Sequence, residues 1–208
     1  MSLDYIREWT PEVVILENVL GLFKRHRETY DEIIRQLEQA GHKVHDKENP
    51  CYNTAQHGVP QNRPRIYIVA IQRSALVRPC VRPKPIPCPS IEKFLDMLMD
   101  SDRTGALPPM AKTKTRQDSR VHVANAYKRA RAAGTDPKRR CIIIDHRCSA
   151  KRRASFMEDR TPCLTATRGS MGGYWVSSRG RPMRWTEAAR LQGFTNPRAR
   201  HMSLMAWW

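Results

Sequence analysis

The chain has 208 residues, with 37 Lys and Arg against 20 Asp and Glu, a formal net charge of +17, and 40% hydrophobic residues. That length and apolar content suit one good core, or a small domain with an appended module, and no apolar run is long enough to predict a membrane-spanning helix. A polycation of this kind favours a polyanionic partner, of which nucleic acid is the commonest.

The charge is uneven. Residues 1–72 hold 9 basic against 10 acidic side chains, residues 73–160 hold 21 against 9, and residues 161–208 hold 7 against 1. Three regions are predicted with those bounds: a neutral α/β part, a basic part with a proline-rich entry, and a basic closing segment. The N-terminus has no basic-then-apolar signal pattern, so an intracellular protein is expected, nuclear in a eukaryote or cytoplasmic in a bacterium. The six cysteines include no C-x-x-C pair. Reduced thiols and no metal site are expected.

In chain order, "VVIL" (13–16) is a short continuous apolar run, which predicts a parallel strand buried on both faces. Glu17 and Asn18 would then lie just past its end. Tyr30, Ile33, Ile34 and Leu37 recur at helical spacing, and Gly41 stands where a helix stops, so a helix is predicted over 27–40. "RIYIVAI" (65–71) predicts a second strand. Strand and helix in succession predict an α/β unit. The stretch 77–90 holds five prolines in fourteen residues and predicts an extended arm. A short helix is predicted over 123–133 and a strand over 141–145. A last helix is predicted with Thr186 as N-cap, Glu187 in its first turn and Gly193 as its stop.

In open α/β sheets ligands gather beyond the carboxyl ends of strands, which makes Glu17 and Asn18 site candidates. A carboxylate there can bond a ring nitrogen and an exocyclic amine together, the pattern on the Watson–Crick edge of cytosine. Gln61, Arg63 and Arg65 come just before the second strand. Two arginines two apart on one strand face the same way and form a fork for phosphate or a carbonyl oxygen. Taken singly, a helix-capping Glu or a pair of solvated arginines explains each feature as well.

Together, Glu17-Asn18-Val19, the Gly58-Val59-Pro60 turn, Gln61-Asn62-Arg63-Pro64-Arg65, "TPCLTATRG" (161–169) and "RPMRWTEAARLQGF" (181–194) resemble the DNA (cytosine-5) methyltransferase family, in its order and over nearly the whole chain. The resemblance implies the second half of a Rossmann-like methyltransferase sheet plus a smaller, irregular basic target-recognition region. It implies that Glu17 holds a flipped cytosine and that Arg65 contacts its O2, with Arg63 in support; all three are then catalytic. Asn18, Gln61, Thr165, Thr167, Arg168, Gly172 and Gly173 become candidates for substrate or DNA contact. Glu187 and Arg190 become structural residues that fix the recognition region. The implied cofactor is S-adenosylmethionine and the implied partner is DNA.

Two of the family's blocks are not found: the glycine-rich cofactor loop and the Pro-Cys-Gln nucleophile. Cys51, Cys80, Cys88 and Cys163 follow proline, yet none precedes glutamine. The chain by itself is therefore expected not to turn over, and to work with a complementary fragment or subunit. The alternatives are a non-catalytic DNA-binding relic and a relative of the RNA cytosine methyltransferases.

Overall fold

The computed structural model describes residues 2–110, 113–148, 153–165 and 172–194. They form a mixed α/β protein in two compact units. Unit 1 takes residues 1–57 and 64–86, and unit 2 takes 58–63 and 87–208.

Unit 1 opens with α1 (Ser2–Trp9), then β1 (Val13–Val19), α2 (Leu20–Arg25), α3 (Arg27–Gln39), β2 (His42–His45) and β3 (Cys51–Asn53). Its long strand β5 (Pro64–Gln72) pairs with β1, β2 and β3, all antiparallel. The parallel, doubly buried strand predicted at 13–16 is thus corrected. Val14 is 5% exposed while Val13 and Ile15 are 54% and 64% exposed, so the strand alternates. An apolar run states that both faces suit burial, but partner direction is set elsewhere in the chain. The core is Val14, Ile66, Ile68 and Ala70 from the sheet against Ile6, Tyr30, Ile34 and Leu37 from the helices.

The helix predicted over 27–40 is α3, and Gly41 follows it at φ +87°, the left-handed conformation that ends helices. Buried Tyr30 meets the Phe23 ring edge-on at 5.0 Å, and its hydroxyl donates to the Lys47 carbonyl at 2.8 Å. Burial pushes that phenol up to about 12. Tyr30→Phe is expected to cost about 1 kcal/mol, one net hydrogen bond. Urea unfolding checks this, and an unchanged midpoint refutes it.

Between residues 77 and 89 the chain is mostly exposed and extended, with one bridge from Ile86 to His57. Arg82 holds it down by bonding Asp46 at 2.7 Å and the Cys51 carbonyl, and by lying 4.2 Å over the Tyr52 ring.

Unit 2 contains a four-stranded antiparallel sheet in the order β10 (Arg181–Pro182), β9 (Tyr174–Val176), β6 (Ile142–Asp145), β7 (Phe156–Glu158). A short parallel ladder joins β4 (Gln61–Asn62) to β8 (Thr161–Pro162). β6 is buried on both faces: Ile142 and Ile144 pack with α4 (Lys114–Ala132), while Ile143 packs with Ile91, Leu95, Tyr174 and Leu191. The basic region is therefore neither irregular nor the smaller part, which corrects the expectation. Its helix is also longer than 123–133. Only Val123, Ala126, Tyr127 and Ala130 of α4 are core residues at helical spacing, and the polar turns before them carried no periodic signal. The last helix, α5 (Trp185–Arg190), is capped at Arg184, not Thr186, because the Glu187 side chain accepts from the Arg184 amide at 2.7 Å. Gly193 follows at φ +94°.

Among the described residues no helix is long and apolar enough to cross a membrane.

Candidate active site

Glu17 and Asn18 lie within β1, not past its end. In the β1–β5 register Glu17 faces Tyr67 and Val19 faces Arg65, so Glu17 and Arg65 are diagonal neighbours on the outward side of the ladder. The Arg65 Nε donates to Glu17 Oε1 at 2.8 Å, and its Nη1 donates to the Pro64 carbonyl at 2.9 Å. The Arg65 side chain is 15% exposed and that of Glu17 is 46% exposed. A guanidinium fixed along the sheet thus orients a carboxylate that still reaches solvent. A pair this exposed adds little to stability, so its geometry matters more than its energy. Tyr67 stands beside the pair, edge-on to Tyr52 at 5.6 Å.

The other predicted residues are placed differently. The Asn18 side chain accepts from the neighbouring Val19 amide at 2.8 Å. Gln61 is buried in unit 2, where its backbone aligns with Thr161 in the β4–β8 ladder. Arg63 precedes β5 and belongs to unit 2, with its Nη1 3.7 Å from the Cys163 sulfur. The predicted fork of two arginines on one strand therefore does not form. Pro64 removes a backbone donor between them, and the strand begins only there.

Thr165 is exposed, and its amide donates to the Tyr174 hydroxyl at 3.3 Å. Gly172 has φ +61°, and a β-carbon there would come 3.2 Å from Pro182. Its carbonyl and that of Gly173 accept from His146, from the ring Nε2 at 3.0 Å and the backbone amide at 3.1 Å. Thr167 and Arg168 lie outside the described residues. Glu187 and Arg190 bond within unit 2: Glu187 holds Arg181 and the Asp96 amide, and Arg190 holds Asp96 and the Phe94 carbonyl.

Sequence reasoning overlooked the anchor of the Gly172–Gly173 turn. Buried His146 bonds the Ser119 hydroxyl through Nδ1. Burial pushes the imidazole down to about 4, so it stays neutral near pH 7. Its position, directly after the "IIID" strand, was the available signal.

Two chemistries can be tested against these residues. Among the described residues no group of three His, Cys, Asp or Glu could hold a metal ion. The described glycines of unit 1 are Gly21, inside α2, and Gly41, after α3, where a β-carbon would meet open space. Neither makes a close backbone approach of the kind that would cradle S-adenosylmethionine, so the described residues of unit 1 offer no glycine cradle for it.

Residues 2–197 match the family profile described as C-5 cytosine-specific DNA methylase. The chain belongs to this family. The methylase relatives include the type II methyltransferase M.HpaII of Haemophilus parainfluenzae, 31% identical over 92% of this chain and 53% of that protein. M.AplI of Arthrospira platensis is 36% identical over 34% of this chain and 19% of its own length, and M.SacI of Streptomyces achromogenes is 41% identical over 31% and 16%. The chain thus spans about half the length, or less, of these curated methylases.

Proposed function

We propose that this methylase-family chain grips a cytosine extruded from DNA, as the base-holding and DNA-contacting part of a cytosine-5 methyltransferase. The single observation behind this reading is the 2.8 Å convergence of Glu17 and Arg65. With one proton held between Glu17 and N3, the Glu17 carboxyl group bonds N3 and accepts from the exocyclic amine, and Arg65 donates to O2. Holding N3 this way stabilises positive character on the ring and favours attack at C6. Extrusion costs a few kcal/mol, which these contacts help offset. Unit 2 supplies cations for backbone phosphates, with Thr165, Thr167, Arg168, Gly172 and Gly173 as contact candidates. S-adenosylmethionine supplies the methyl group in this reading. Its cradle and the thiolate nucleophile come from polypeptide other than the residues described, here called the complementary part.

The test compares Glu17→Ala with the parent chain on duplexes that carry a cytosine opposite either guanine or an abasic site. Loss of one two-point base contact is expected to weaken binding about 10- to 100-fold on the abasic duplex. Binding to the matched duplex, carried by phosphate contacts, should hold and should fall steeply with salt. Equal affinity of both proteins for the unpaired cytosine would end the reading.

A further inference from the structure

Unit 2 holds a cavity of about 670 Å³ between α4, the end of β6 and the β9–β10 hairpin. Small-molecule sites run from roughly 300 to 1,000 Å³ and are mostly apolar, with a few placed polar groups. The walls here are apolar, from Pro108, Pro109, Pro182 and Trp175, the last edge-on to the His146 ring at 5.9 Å. Which occupant fits follows from the polar groups still free to bond. The Trp175 indole N–H is already shared between the Ala106 carbonyl and the Tyr127 hydroxyl, each at 3.2 Å. His146 Nε2 donates to the Gly172 carbonyl at 3.0 Å, so Nδ1 is the bare nitrogen and takes the Ser119 hydroxyl proton. The Ser119 oxygen keeps a lone pair, and no other described group bonds it. What remains inside is therefore an acceptor. Toward solvent what remains is a cation. Arg181 is neutralised by Glu187 at 2.8 Å and Asp102 at 3.2 Å. Arg147, next in the chain to His146, also lines the cavity; it is exposed and has no acidic partner among the described residues. Thr113 is exposed beside it on the same lining, and its hydroxyl does not cap α4.

We infer that this cavity takes a nucleotide whose base carries an exocyclic amine, with the ring among the prolines and Trp175, the amine on Ser119 and the phosphate on Arg147 and Thr113. The three parts of such a molecule match the three parts of the cavity. A flat ring suits the apolar walls, an N–H donor suits the bare Ser119 oxygen, and an anion suits the guanidinium. A phosphate alone leaves the walls and Ser119 unused, and an alkyl chain leaves Ser119 and Arg147 unused. A free nucleotide and a nucleotide extruded from DNA both offer this chemistry. The inference goes beyond the base grip and does not depend on it, since every residue of the cavity belongs to unit 2, while Glu17 and Arg65 belong to unit 1.

The full chain is titrated by calorimetry with adenosine 5′-monophosphate, with adenosine, and with purine riboside 5′-monophosphate, which lacks the amine. Adenosine monophosphate is expected to bind about 10-fold more tightly than either of the others, one hydrogen bond or ion contact in each comparison. Ser119→Ala should erase the advantage of the amine and keep that of the phosphate. Arg147→Gln should do the reverse, and as a surface change it decides the matter even if Ser119→Ala unfolds unit 2. Lys128→Gln, exposed on α4, removes a charge elsewhere and should alter neither. A second arm compares duplexes that carry an adenine opposite either thymine or an abasic site. A preference for the unpaired adenine that Ser119→Ala and Arg147→Gln abolish and Glu17→Ala spares assigns the cavity to an extruded nucleotide. Adenosine monophosphate binding without that preference assigns it to a free one. The inference is overturned if neither probe binds, if the three compounds bind alike, or if both substitutions leave the affinity for adenosine monophosphate unchanged. The base grip is read apart from this, by Glu17→Ala on unpaired cytosine, so either reading can fail while the other stands.

Discussion

Glu187→Ala is expected to lower the melting temperature of unit 2 by about 10 °C. Glu187 is fully buried, and its carboxylate accepts four bonds. Oε1 takes the Asp96 amide at 2.9 Å and Arg181 Nη2 at 2.8 Å; Oε2 takes the Arg184 amide at 2.7 Å and Arg181 Nη1 at 3.0 Å. Alanine leaves two backbone amides orphaned and leaves Arg181, itself largely buried, with Asp102 at 3.2 Å as its remaining acidic partner among the described residues. Breaking a buried ion pair from one side costs about 3–5 kcal/mol, because the other charge stays desolvated. In a domain of this size each kcal/mol moves the midpoint by about 2–4 °C. Calorimetry reads it, and a shift below about 2 °C would show that water replaces the carboxylate.

The second large effect is expected at Gly180. Its φ is +59°, and an added β-carbon would lie 1.9 Å from the Arg103 carbonyl oxygen, a backbone atom with no rotamer to escape into. That carbonyl belongs to a strap in which the Arg103 amide donates to Arg179 at 3.1 Å, Gly105 to Ser177 at 2.8 Å and the Thr104 hydroxyl to Ser178 at 3.0 Å. Gly180→Ala must push the strap away, breaking some of these bonds and adding the left-handed strain, for a total of about 3–5 kcal/mol. Amide exchange at Gly105 should accelerate together with the loss in denaturant midpoint. Gly172→Ala, whose nearest contact is a proline side chain at 3.2 Å, should cost clearly less. Equal costs would mean that the strap moves freely.

Elements whose burial follows their own periodicity were legible in the sequence. Tyr30, Ile34 and Leu37 marked α3, and Gly41 its end; "CIIID" marked a strand, and β6 is one, with burial on both faces that the structure adds. Pairing direction was not legible, because whether β1 meets β5 parallel or antiparallel depends on the chain between them. The β9–β10 hairpin, three and two residues long, lies below the length at which alternation can be counted. At the site, the Glu17–Arg65 geometry was expected from family blocks and is observed at contact distance. The arginine fork failed because spacing along the sequence says which side a residue takes only after both residues are known to share a strand.

The extended proline-rich arm has one more consequence. A long, exposed, cationic segment is ordinarily the first place a trypsin-like protease cuts. Here Arg78, Arg82 and Lys84 are each followed by proline, at 79, 83 and 85. The pyrrolidine ring after the scissile bond blocks such enzymes, since it takes away the amide hydrogen and fixes the backbone. The arm can therefore stay basic and open without being a point at which digestion severs the chain.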